Sequence, residues 1–110
     1  MPDAQPDLVS LVLTLRPAAP CTVALDLGRA AQAALLALLG TMGHAELAAR
    51  LHAGDGLRPY TVSSLHSLAE GGPGRATAVS GGECWLRCTS CDRELSSVFL
   101  YWAHEPPATL

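Results

Sequence analysis

Glu83-Cys-Trp-Leu-Arg-Cys-Thr-Ser90, then Cys91, then Asp92-Arg-Glu-Leu-Ser-Ser-Val-Phe-Leu-Tyr-Trp-Ala-His104 is the stretch on which the fold turns. Its first part alternates. Cys84, Leu86 and Cys88 share one face, where apolar residues are expected, while Trp85 and Arg87 take the other, which is the period of a strand. Its second part changes period. Leu95, Val98, Phe99 and Trp102 fall on one side of a helix from Asp92 to His104, and Pro106-Pro107 stops it.

The same two periods recur towards the N-terminus. From Leu8 to Leu15, Val9, Leu11, Leu13 and Leu15 face one way and Ser10, Val12 and Thr14 the other, and Arg16-Pro17 and Pro20 end this strand. From Asp26 to Leu39, Leu27, Ala30, Ala31, Ala34, Leu35 and Leu38 recur at helical spacing, with Asp26 as expected N-cap and Gly40 as expected stop. Thr41-Met42-Gly43-His44 leads into a short helix, Ala45 to His52. Gly54-Asp55-Gly56 reads as a turn, Tyr60 to His66 as a strand and Glu70 to Gly74 as a loop. Arg75–Ser80 and Glu83–Ser90 flank Gly81-Gly82 and read as a hairpin.

The order is therefore strand, helix, short helix, strand, strand, helix. This predicts an α+β fold, the start of the ferredoxin-like β-α-β-β-α-β pattern with its fourth strand missing or supplied by a partner. The expectation is one three-stranded antiparallel sheet of order 2-1-3 or, preferably, 1-3-2, with helices on one face. The Leu8–Leu15 strand would be an open apolar edge, which predicts self-association into a homo-oligomer. Residues 1–6 read as a loose tail, 7–105 as the domain and 106–110 as a C-terminal tail.

Composition narrows the function classes. The chain has 110 residues, enough for one small domain with its own core. Gly, Arg, Asp and His interrupt every apolar run before it reaches membrane-spanning length, and Met1–Asp7 has neither the basic start nor the apolar stretch of a signal peptide. A cytoplasmic protein with no membrane partner is expected. Ten acidic residues outnumber seven basic ones, all arginine, for a net charge of −3. That balance argues against strong nucleic-acid binding by this chain alone.

Three of the four cysteines cluster as Cys84, Cys88 and Cys91. A zinc site wants four ligands in tetrahedral array, and nothing pairs with Cys21 or the histidines at ligand spacing. Cys88-Thr-Ser-Cys91 could also be a redox C-x-x-C. The strand alternation favours buried thiols, with no metal and no disulfide.

Candidate chemistry lies in Glu46-Leu-Ala-Ala-Arg-Leu-His-Ala-Gly-Asp-Gly-Leu-Arg-Pro-Tyr-Thr-Val-Ser63. His52 ends a helix and Arg58 follows past two glycines. An imidazole that moves protons near neutral pH, beside a fixed cation, suits chemistry on a phosphate. The competing reading is a histidine that complements the helix dipole. His44 is the rival histidine, in a loop and expected to be exposed; His66 and His104 read as surface residues. Arg29 and Arg87 are candidate phosphate contacts. Trp85 and Trp102 could stack on bases, or be partly buried.

Leu51-His52, the glycine-containing turn and Arg58-Pro59-Tyr60-Thr61-Val62-Ser63-Ser64-Leu65 resemble the N-terminal domain of the CRISPR-associated endoribonucleases that cut precursor CRISPR RNA, the sixth Cas family of the RAMP superfamily. Leu8–Pro17 is similar to that family's first strand, Asp26–Leu39 to the following helix, and Gly82–Ser90 with Asp92–Leu95 to its "W-L-R-x-T" strand and the turn after it. The resemblance spans about residues 7 to 104. It implies an RRM-like ferredoxin fold and a metal- and cofactor-independent cleavage giving a 2′,3′-cyclic phosphate and a 5′-hydroxyl. His52 would be the general acid/base and Arg58 would stabilise charge at the phosphate. Implied partners are CRISPR repeat RNA, a glycine-rich C-terminal domain not found in this chain, or other Cas subunits. The sequence departs from members with a tyrosine on the first helix, where Ala37 or a neighbour stands here. The alternative is a non-catalytic RNA- or protein-binding module of a CRISPR complex.

Overall fold

The computed structural model describes residues 8–24, 28–53, 58–70, 74–78 and 82–108. The elements are β1 (Val9–Leu15), β2 (Cys21–Ala24), α1 (Gly28–Thr41), α2 (Ala45–Ala53), β3 (Tyr60–Val62), β4 (Ala69–Glu70), β5 (Arg75–Ala78), β6 (Cys84–Ser90) and α3 (Arg93–His104). The expected tail at 1–6, the Asp26 cap and the Gly54–Gly56 turn lie outside the described residues.

The protein is a small α+β domain with antiparallel sheets and three helices. The single three-stranded sheet is corrected to two, of order β1-β6-β3 and β2-β5-β4. In the first, β6 is central, with Leu11 opposite Cys88 and Leu13 opposite Leu86 on one side, and Tyr60 opposite Ser90 on the other. The hairpin is also corrected. β5 pairs with β2 and β4, and β6 with β1 and β3, so the two do not pair with each other. β1 ends at Leu15, before Arg16-Pro17, as expected, and a further strand not expected, β2, follows Pro20. The strand expected over Tyr60–His66 stops at Val62 and resumes only as a bridge from His66 to Trp85. Glu70, expected to open a loop, instead forms β4 with Ala69.

The first helix runs through Gly40 and ends at Thr41, two residues later than expected. Gly43, at φ +89°, takes the left-handed position. Gly43 N–H donates to Gly40 O at 3.4 Å and His44 N–H to Leu39 O at 2.7 Å, the pair of bonds that closes a helix on its own carbonyls. Gly40 adopts helical backbone without penalty beyond its entropy. α3 starts as expected: the Asp92 carboxylate accepts the Leu95 N–H at 2.9 Å.

One face of the first sheet carries the core. Leu86 and Cys88 pack with Leu35, Leu38 and Leu39 of α1, Leu47 and Leu51 of α2, and Leu95, Val98, Phe99 and Trp102 of α3. The buried Ser90 and Ser96 satisfy each other at 3.0 Å between hydroxyl oxygens. The opposite face carries Ser10, Val12, Thr14, Thr61 and Arg87, all exposed. The alternation read in β1 and β6 thus separates a helix-covered face from an open one. Among the described residues no helix is long and apolar enough to cross a membrane.

The cysteines follow this division. Cys84 and Cys88 are buried, whereas Cys21 and Cys91 are exposed, and all four are free thiols. Burial pushes the Cys88 thiol up to about 11, and burial followed by the neighbouring Cys21 raises Cys84. Only the thiolate reacts, so a maleimide at neutral pH is expected to label Cys21 and Cys91 rapidly. Cys84 and Cys88 should be labelled only on unfolding, as read by peptide mass spectrometry.

Candidate functional site

The sequence-predicted pair, His52 and Arg58, borders the undescribed residues 54–57. Both side chains are exposed, and neither has a hydrogen bond or ion pair among the described residues. They sit where they do because each flank of that segment is tied to one turn, Ser90-Cys91-Asp92, between β6 and α3. On the α2 side, Arg50 grips Asp92 through two bonds, Nη1 to Oδ2 at 2.7 Å and Nη2 to Oδ1 at 3.1 Å, and reaches Glu94 at 3.2 Å. On the β3 side, Pro59 O accepts the Cys91 N–H at 2.8 Å and the Cys91 thiol at 3.4 Å.

His52 is two residues beyond Arg50, and Arg58 immediately precedes Pro59. A planar guanidinium on a carboxylate is directional as well as attractive, so this clamp sets the orientation of the end of α2. Leu47 and Leu51 bury the other side of α2, which leaves His52 facing outwards. The arrangement leaves an imidazole and a guanidinium, both accessible, at the two ends of one short segment.

Asp92 has a double task, as helix cap and as the partner of Arg50. The Arg50 guanidinium, more than the Leu95 N–H, holds its carboxyl below the usual carboxylate range, against a smaller opposing effect of burial. A carboxyl depressed in the folded state stabilises the fold above the unfolded aspartate value of about 4, and that contribution is lost as pH falls through the lower folded value. Asp92→Ala is expected to cost about 1–2 kcal/mol in urea denaturation at pH 7 and to flatten the acid limb of the stability profile. Arg50→Ala, at a half-exposed site, should cost about 0.5–1 kcal/mol.

The remaining candidates are dispersed. His44, expected to be exposed, is half-buried instead, because it ends the α1 turn and its carbonyl accepts the Ala48 N–H at 3.0 Å. Arg29 is exposed on α1, far from Arg87 in chain order and on a different element. Arg87 is exposed on the open face of β6, flanked by Trp85. Trp85 is half-buried and stacks on His66 with ring centroids 4.3 Å apart, its Nε1 donating to Ser67 Oγ at 3.2 Å. Trp102 belongs to the core. His66 and His104 are exposed, as expected.

Tyr60 is buried, and its hydroxyl accepts from Gln32 Nε2 of α1 at 2.9 Å. It holds β3 to α1 and offers no free phenol to the site. Gln32 is a polar residue on a helix whose buried residues are alanine and leucine. Among the described residues no group of three or more His, Cys, Asp or Glu side chains is placed to hold a metal ion.

The residues that sequence reasoning missed are Arg50 and Glu94. Arg50 lies 42 positions from Asp92, and no local spacing marks it. No protein-family model matches the chain, and no curated protein matches it.

Proposed function

We propose that this domain is the N-terminal, RNA-facing part of a cytoplasmic, metal-independent endoribonuclease that cuts CRISPR repeat RNA. The reading rests on the resemblance around Leu51-His52 and Arg58–Leu65. One observation supports it further: Arg50, two residues before His52, and Pro59, next to Arg58, are both bonded to the turn at Ser90–Asp92. The ferredoxin-like reading of the fold is part of the same proposal. The order β1-β6-β3 with helices on one side is compatible with a sheet that takes a further strand beside β1.

In the proposed reaction the 2′-hydroxyl beside the cut attacks the adjacent phosphorus. A P–O bond forms to the 2′-oxygen and the bond to the 5′-oxygen breaks. His52 takes the 2′-proton or delivers one to the leaving 5′-oxygen. Arg58 stabilises the charge that builds on the non-bridging oxygens. Products are a 2′,3′-cyclic phosphate and a 5′-hydroxyl, with no cofactor consumed. On this reading the net charge of −3 leaves most phosphate binding to a glycine-rich C-terminal domain or another Cas subunit.

A second reading, a non-catalytic RNA- or protein-binding module of a CRISPR complex, draws on the open sheet face. There Trp85, which shares β6 with Arg87, stacks on His66 across an isolated bridge, and an aromatic platform with a cation is a surface on which bases stack.

The test is single-turnover incubation of end-labelled repeat RNA with chelator present, using the domain joined to its C-terminal partner domain. Cleavage to cyclic-phosphate ends that depends on His52 supports the nuclease. Tight binding without cleavage, lost in a Trp85→Ala variant, favours the module.

A further inference from the structure

We propose that β1 is a homodimerisation strand, which pairs antiparallel with β1 of a second copy about a two-fold axis through Val12. The first observation is the direction of the backbone. Ser63 N–H donates to Arg87 O at 2.9 Å, and His66 and Trp85 exchange bonds at 2.8 and 3.2 Å. Trp85 and Arg87 therefore aim their main-chain groups towards β3, and Leu86 and Cys88 aim theirs at β1. Their β1 partners are Leu13 and Leu11. In an antiparallel ladder both main-chain groups of a residue point the same way, and neighbours alternate. The N–H and C=O of Ser10, Val12 and Thr14 thus point out of the sheet, where among the described residues no strand pairs with them.

The second observation is that β1 is chemically palindromic. Val9-Ser-Leu-Val-Leu-Thr-Leu15 read about Val12 places Val9 opposite Leu15, Ser10 opposite Thr14 and Leu11 opposite Leu13. A two-fold interface brings the same patch to itself, so it needs such a self-complementary sequence. In this register the outward-pointing residues meet as Ser10–Thr14, Val12–Val12 and Thr14–Ser10, each a pair that exchanges both main-chain bonds. Shifting the register by one residue would oppose inward-pointing groups, and shifting it further shortens the overlap.

The third observation is the groove along this edge. A cavity of about 1030 Å³ is lined by Leu11, Leu13 and Leu15 on the strand side, by Trp102 and Pro106 at the end of α3 and, at its far end, by Val23 of β2. The axis is perpendicular to the sheet, so the apolar side chains of the second copy fall on this same helix-covered side, where its Leu13, Leu11 and Val9 lie opposite Leu11, Leu13 and Leu15 and cover the groove, reciprocally. The Trp102 indole N–H, buried with no acceptor among the described residues, lies in that wall.

The edge also lacks the usual guards. β1 is seven residues long and contains no charge and no proline. The opposite edge strand, β3, has three residues directly after Pro59. The resulting assembly is one continuous sheet of order β3-β6-β1-β1-β6-β3, with all helices on one face. The pairing does not depend on the RNA chemistry proposed above.

The experiment combines sedimentation equilibrium with site-directed cross-linking, in a Cys21→Ser, Cys91→Ser background that removes the exposed thiols. The parent should be a dimer. Val12→Pro removes an N–H that no bond among the described residues uses and should weaken association about tenfold or more. Its far-UV circular dichroism should be retained. Under mild oxidation Val12→Cys should cross-link to itself, since the Cα atoms of such a pair lie about 5.5 Å apart. Ser10→Cys alone should not, whereas Ser10→Cys mixed with Thr14→Cys should. A monomeric parent at high concentration overturns the proposal. So does self-linking through Ser10→Cys as efficient as through Val12→Cys, which would remain readable if the proline variant failed to fold.

Discussion

In the proposed nuclease, joined to its C-terminal domain, replacing His52 with alanine is expected to slow single-turnover cleavage of repeat RNA by about 10²–10⁴-fold, the usual worth of a positioned acid or base. The substitution should leave the fold nearly untouched. His52 is exposed, its side chain makes no bond among the described residues, and it follows Leu51, whose burial holds that turn of α2. Loss of a favourable partner for the helix dipole would cost only about 0.3–1 kcal/mol. The two readings of this histidine therefore separate cleanly. A large loss of rate with unchanged stability marks a catalytic group. A small loss of stability with full activity marks a helix-end partner and removes the proposed mechanism. His44→Ala is the control, since His44 is half-buried at the α1–α2 junction. Arg58→Ala should slow the chemical step more than it weakens binding, because its charge matters most when negative charge accumulates.

The second large effect concerns the core. Phe99→Ala is expected to cost about 3–5 kcal/mol in chemical denaturation. Phe99 is fully buried, its ring centroid 5.8 Å from that of Trp102, with Leu95 and Val98 beside it. Its removal opens a cavity where α3 meets the sheet, and neighbours on a helix and a central strand relax little into such a space. Against a typical total of about 5–15 kcal/mol, the loss should bring the domain close to unfolding at room temperature. A change below about 1 kcal/mol would mean that α3 is not packed as described.

These two residues also mark how far the sequence could be read. Phe99 was legible because α3 repeats its apolar residues with helical period and begins at a side chain suited to capping. β1 and β6 were legible because polar and apolar residues alternate strictly over seven positions in each. The short strands were not. β2 and β4 have four and two residues, too few to show a period. Gly81-Gly82 was misleading because two glycines between strand-like runs are the usual mark of a hairpin, whereas here the runs pair with different strands. Gly40 misled in the same way: a glycine is a possible helix end, but only Gly43 has the backbone that makes it one. At the candidate site His52 and Arg58 were visible as residue types at a helix end and after a turn. The clamp from Arg50 to Asp92 was invisible, because an ion pair across 42 residues is created by the fold and leaves no trace in local spacing.

The placement of the two tryptophans gives the domain a pair of built-in optical probes with separate duties. Trp102 is sealed in the core, so its emission should lie to the blue, resist acrylamide and move only when α3 leaves the sheet. Trp85 lies on the open face with an imidazole stacked over its ring, so its emission should be accessible to quencher and respond to whatever settles there. Binding to that face and melting of the core can then be followed in one cuvette without a label. A Trp85→Phe variant would tell which signal belongs to which ring.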